Sequence, residues 1–299
     1  ATQAITGTAT YITTANASSI ILDDASNTYG AGVKFQAGDG SNATFNNLTF
    51  VDTGGIHLDA NAGAAGDLWI DATTDGAVGG ILTLTAASGD VTQTQSLAVT
   101  GATSVTTSGS NATIALANTS NSFGGAVTLS TTGTGADVSI DGGTGTLDIA
   151  ASSIGGDLTL ISGHTSGITD SGTLTIGGNL SATTDAGNGV VDLGTLAVDG
   201  TVALTTNGSS GNVTVVNDAG LAFAASTVDG TLSATATTGD ISDSGAQTIL
   251  GAATYITSAT GSNIILDHAS NTYAAGVTFK ADDGTETFGD LTFVDTGGI

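Results

Sequence analysis

Cysteine, proline and methionine are missing from all 299 residues, and lysine and arginine together number 2. Each absence excludes something. Without cysteine there is no disulfide framework and no thiolate metal centre, so an oxidising compartment has to be tolerated without staples. Without proline no position is barred from donating a ladder hydrogen bond, which suits a chain made mostly of central strands. Lys34 and Lys280 stand against 27 acids, for a formal net charge of −25. Nucleic acids and anionic membrane surfaces are bound through clustered Lys and Arg, so neither is an expected partner. No apolar run is long enough to insert into a bilayer. Aromatic residues are only 4% of the chain, too few for the cores of a string of β-sandwich domains, the rival all-β architecture.

What is present is repetition. The stretch Gly7–Phe35 returns as Gly251–Phe279, and Val51–Ile56 returns as Val294–Ile299, so a long repeat over 7–56 is matched by 251–299. Shorter modules lie inside it. Gly89–Leu129 aligns without a gap to Gly239–Phe279, and Gly167–Thr184 is a third relative, so modules begin near 91, 168 and 241. A second motif, Thr146–Leu160, returns as Gly220–Ala234, and Gly76–Leu84 resembles its second half. The first module is longer than the others. Insertions of that kind map to loops on the outside of a stack.

Apolar and polar residues alternate in short runs such as Leu97–Thr100, Leu158–Ile161 and Val213–Val216. That is the period of strands with one buried face. Gly, Asn, Asp and Ser separate the runs, and no stretch carries an amphipathic helical period. The expected fold is all-β: a parallel β-helix (β-solenoid) built from tandem repeats, forming one continuous segment over 1–299. At roughly 20–25 residues and about 4.8 Å per coil, it would make about 12–15 coils, on the order of 60–70 Å long. The motif Ser26-Asn27-Thr28-Tyr29-Gly30 recurs as Ser120-Asn121-Ser122-Phe123-Gly124 and Ser270-Asn271-Thr272-Tyr273. Here Asn is expected in a left-handed turn and the aromatic as a plug over the coil's corner.

The runs Ser171–Thr184, Asn118–Ser130 and Gly145–Leu160 resemble the repeats of giant filamentous-haemagglutinin-like bacterial exoproteins, adhesins of the two-partner-secretion or autotransporter-passenger type. The resemblance covers nearly the whole chain. It implies a right-handed β-helix, an extracellular or cell-surface location, and a part in adhesion, cell aggregation or biofilm. It also leads one to expect a signal peptide, a secretion domain or a membrane barrel elsewhere in a longer protein. Self-association along or between fibres and a carbohydrate or other cell-surface target are the partners it implies.

Catalysis is not expected. Sugar-cleaving β-helices need paired carboxylates backed by Lys, Arg or His, whereas His57, His164 and His268 share no motif. His268 stands where the sister copies have Asp24 and Asn118, which suits an exposed turn. Trp69, the only tryptophan, reads as a partly buried coil residue or as a platform for a sugar. No cofactor is expected apart from calcium. Its candidate ligands are Asp23, Asp24, Asp59, Asp67, Asp71, Asp75, Asp282 and Asp283, set against the plainer reading of Asp as a turn residue. Ice binding by threonine arrays is a further alternative. The pairs Thr83/Thr85 and Thr173/Thr175 do not recur at one fixed coil spacing, and the coil length varies too much for a matched lattice.

Overall fold

The computed structural model describes residues 1–38, 44–72, 74, 76–282 and 287–298. Among these every assigned element is a strand, and every strand pairing is parallel. The fold is a β-solenoid, arranged as two compact units, Ala1–Gly156 and Asp157–Ile299.

In the first unit one ladder runs Ala9–Thr13, Val33–Ala37, Asp67–Asp71, Ile56–Leu58, Val91–Gln93, Ile114–Leu116 and Val138–Asp141. A second runs Ser18–Leu22, Phe45–Asp52, Leu82–Ala86, Thr103–Ser110 and Val127–Thr132. In the second unit Leu158–Ser162, Leu180–Gly187 and Thr201–Asn207 form one ladder. Val191–Val198, Val213–Asn217, Leu232–Ala236, Ala253–Thr257 and Val277–Ala281 form another.

The alternation read from the sequence is the alternation of burial. Along Leu82–Ala86 the inward Leu82, Leu84 and Ala86 are sealed while Thr83 and Thr85 face out. Like residues stack on like: Leu84 registers with Phe50 on one side and Val105 on the other. Burying each such side chain contributes about 1.5–3 kcal/mol. Coils are unequal, because one turn of the stack takes 19 residues from Asn212 to Thr231 but 34 from Asn47 to Ile81. The turns absorb the difference and the strands keep register. Thr49, Thr83, Ser104 and Thr128 therefore lie in one outward file, with Thr85, Thr106 and Ser130 in the next. This corrects the expectation that unequal coil lengths would scatter the threonines.

Two kinds of side chain fasten coil to coil. Exposed Asn and Asp accept a backbone N–H from the following coil: Asp90 from Thr113 at 2.7 Å, Asn179 from Thr201 at 2.9 Å, Asp240 from Asn263 at 2.7 Å. Buried Asn, Ser and Gln reach the other way. Asn121 Oδ1 takes the Leu97 N–H at 2.9 Å, Asn271 that of Gln247 at 2.8 Å, and Asn27 that of Gln3 at 2.8 Å. Ser152 and Ser226, equivalent residues of the second motif, each take a ladder N–H (from Leu129 and Leu204) and return their hydroxyl to a carbonyl. Such bonds satisfy groups that would be costly if left bare in the core.

The Ser-Asn-Thr-Tyr motif is thus a correction. Asn27, Asn121 and Asn271 are buried brackets, and none has a positive φ; among the described residues the non-glycine ones that do are Ala17, Asn111 and Asn188. The aromatic half of the expectation holds, since Tyr29, Phe123 and Tyr273 are buried. Glycine is demanded at Gly76 and Gly167, where φ is +79° and +64° and a Cβ would collide with the Ser96 and Val190 carbonyls respectively.

Candidate functional site

The insertion in the first module supplies an extra rung. After Phe45–Asp52 the chain lays down Ile56–Leu58, then turns back and places Asp67–Asp71 between that strand and Val33–Ala37. The order in the sheet is therefore not the order in sequence. One consequence is that Ala9–Thr13 and its copy Thr103–Ser110 lie in different ladders.

The inserted strand buries Leu68 and Ile70 and turns Asp67, Trp69 and Asp71 outward. Register then fixes their neighbours. Trp69 lies beside Lys34, which lies beside Thr10; Asp71 lies beside Gln36, which lies beside Ile12, 57% exposed. On the other side His57 lies beside Asp67 and Thr92. One outward face thus gathers the only tryptophan, one of the 2 Lys and Arg residues and one of the 3 histidines.

Its members are fixed to one another. Lys34 Nζ sits 3.9 Å from the Trp69 ring centroid and 2.6 Å from Asp71 Oδ2. The ammonium is attracted by the negative face of the indole and neutralised by the carboxylate. His57 Nδ1 is 2.9 Å from Thr92 Oγ1, and its Nε2 is 3.5 Å from Asp59 Oδ2. Hydroxyl, imidazole and carboxylate stand in the sequence of a nucleophile, base and orienting acid. Thr92 and His57 are outward neighbours on paired parallel strands and Asp59 follows His57 two places on, so ladder register and strand alternation give this spacing by themselves.

An open cleft of about 620 Å³ adjoins this face, lined by Tyr29, Asp52, Thr53, His57, Asp90 and Thr92 among others. Asp52 is 3% exposed, and burial pushes its carboxyl up against the opposing pull of backbone N–H groups, Gly54 first among them. The Tyr29 phenol is likewise driven up by burial. These are a hydroxyl-rich lining and a desolvated acid, suited to holding a small polar molecule.

The calcium candidates fall in different places. Asp59, Asp67 and Asp71 share the outward face, but each has a partner: His57 for Asp59, the Gly63 and Ala64 N–H groups for Asp67, and Lys34 for Asp71. Asp24 accepts from the Ser26 N–H and the Thr2 hydroxyl, which hold its carboxyl below the usual range; Asp23 beside it is exposed. Asp282 is exposed, and its backbone N–H pairs with Thr257. Asp75 and Asp283 lie outside the described residues. Among the described residues no three His, Asp or Glu side chains converge on one ion position.

The histidine expected in a turn is there. Asp24, Asn118 and His268 each accept the N–H of the residue two places on, at 3.0, 3.0 and 3.2 Å, and His164 does the same for Ser166 at 3.0 Å. Sequence reasoning missed the Lys34–Trp69–Asp71 cluster. Lys34 replaces the Thr278 of the sister copy, and that substitution inside a repeat was the available signal.

Residues 45–130, 135–194 and 210–280 match a family described as repeats of unknown function (DUF5649). No curated protein and no solved structure matches the chain.

Proposed function

The chain belongs to the family of repeats of unknown function (DUF5649), and on that footing we propose that it is a structural segment of an extracellular surface fibre or adhesin stalk. In this reading tandem coils serve as a stiff spacer in adhesion, cell aggregation or biofilm. The supporting observation is that its recurrent polar side chains fasten one coil to the next: Asn121, Asn271, Ser152 and Ser226 inside, Asp90, Asn179 and Asp240 outside. A repeat whose conspicuous residues are spent on its own stacking is built for length. The net charge of −25 keeps such rods soluble and apart, and bundling then depends on salt or divalent cations. Electron microscopy of the native protein tests the reading. A thin fibre with an axial repeat near 4.8 Å is expected, and separate globular particles would overturn it.

The segment is proposed to be non-catalytic. The Thr92–His57–Asp59 row provides the check: turnover of chromogenic esters that disappears in His57→Ala would refute it. A second reading, ice binding, is favoured by the aligned Thr49–Thr83–Ser104–Thr128 file. Thermal hysteresis that vanishes in Thr83→Leu would establish it.

A further inference from the structure

We propose that the outward face around Trp69 binds a neutral oligosaccharide, with the adjoining cleft receiving one end of it. This goes beyond the spacer role and does not require a fibre.

Electrostatics selects the ligand class. An acidic glycan meets a chain of net charge −25 whose one cation on this face is already paired to Asp71. A cationic ligand is repelled by the Lys34 ammonium, which already sits over one face of the indole. What remains is an uncharged, hydroxyl-bearing molecule. The C–H face of a pyranose carries slight positive charge and packs on the negative face of an aromatic ring. Its hydroxyls need donors and acceptors in alternation. Thr10, Gln36, Asp59, Asp71 and Thr92 offer both on the strands around Trp69.

The dimensions agree. From Thr10 through Lys34, Trp69 and His57 to Thr92 the face crosses adjacent strands of one sheet, a length of about 19 Å at about 4.8 Å per strand. That accommodates several sugar rings in a row. The side chains are carried on strands and held by the Lys34–Asp71 and His57–Thr92 contacts, so little ordering remains to be done on binding. The strand that carries Trp69 belongs to the insertion, whereas the modules beginning near 91 and 241 align without one. Insertions into a stacked repeat commonly build its binding face.

The single tryptophan makes the test direct, because its emission reports this face alone. The intact chain is titrated with cello-, xylo-, manno- and chitohexaose. A saturable emission change with at least one of them is expected. By calorimetry Trp69→Ala should weaken that binding at least tenfold, as loss of a central aromatic anchor does, and His164→Ala in the other unit should leave it unchanged. Should Trp69→Ala fail to fold, Trp69→Phe and Asp71→Asn are read instead, each expected to weaken binding severalfold. No emission response to any of the four sugars overturns the proposal. So does binding undiminished in the variants, or tighter binding of polygalacturonate than of every neutral sugar.

Discussion

Gly89–Leu129 and Gly239–Phe279 are one module written twice without a gap, and they solve the same packing problem with different side chains. Asn121 and Asn271 occupy one place, each spanning two coils. Beneath them Gln93 becomes Asp243, yet the bond survives: Asn121 Nδ2 donates to Gln93 Oε1 at 2.9 Å and Asn271 Nδ2 to Asp243 Oδ2 at 2.6 Å. The cores diverge more. Val105 and Phe123 of the first copy are Tyr255 and Tyr273 in the second, where the phenols meet at 3.1 Å and Tyr255 also packs edge-on to Phe223 and stacked on Phe279. Coil-to-coil bonding is thus the conserved requirement of the module, and core volume is adjusted locally around it.

The sharpest way to break that equivalence is to exchange the cores. Tyr255→Val leaves a void and strands the Tyr273 hydroxyl in a buried site; a loss of about 3–5 kcal/mol is expected from chemical denaturation. Val105→Tyr should also destabilise, by about 1–3 kcal/mol through overpacking. If both variants melt like the parent, the two cores are interchangeable. Next in size, Asn121→Ala orphans the Leu97 N–H and the Leu116 carbonyl, and about 2–3 kcal/mol should be lost. Asn271→Ala should cost a similar amount, and a marked inequality would show that the brackets are not equivalent.

A subtler contrast lies at Thr107 and Thr257, again one position in two copies. The Thr107 hydroxyl donates to the Ala112 carbonyl at 3.2 Å, while that of Thr257, fully buried, meets no partner. Thr107→Val should cost about 1 kcal/mol, and Thr257→Val should be neutral or stabilising. Opposite signs in thermal melts confirm the contrast; equal losses refute it.

Of these two copies only the second carries phenols and should respond to alkali. Burial pushes Tyr273 up to about 12 and raises Tyr255 as well. A phenol whose folded pKa exceeds its unfolded value stabilises fully below the unfolded value, near 10, and that stability is lost as pH rises through the folded one. Melting temperatures should therefore fall between about pH 10 and 12, less steeply in Tyr273→Phe. The smallest effect is expected at the turn. His268 Nδ1 accepts the Ser270 N–H, as Asn118 Oδ1 accepts that of Ser120 in the first copy, and the Asp243 carboxylate of the preceding coil accepts the His268 backbone N–H. His268→Asn keeps an acceptor there and should change stability in chemical denaturation by less than about 0.5 kcal/mol, whereas a loss above about 1 kcal/mol would show that the two turns are not equivalent.

The fold was legible because its signal is local. Period-two runs such as Leu158–Ile161 become strands, and recurring turns place them one above another. The brackets were half legible: Asn27, Asn121 and Asn271 stood out, but as turn residues, since sequence does not show that a corner Asn is sealed and reaches the neighbouring coil. The cluster at Trp69 was not legible. Lys34 and Trp69 meet only because Asp67–Asp71 is laid down out of order, ahead of Ile56–Leu58, and alternation carries no information about strand order. The file of threonines was misjudged for a related reason. Sequence spacing counts turn residues, which register ignores.

Six exposed brackets point one way. Asn16, Asp90, Asn111, Asp157, Asn179 and Asp240 are acceptors on the earlier coil, and the N–H they hold belongs to the later one. A chain delivered amino-terminus first therefore finds, at each rim, a waiting lone pair that marks where the next turn begins. The growing end is its own template, so a chain that folds from its amino terminus adds turns to a seed already set rather than searching for one.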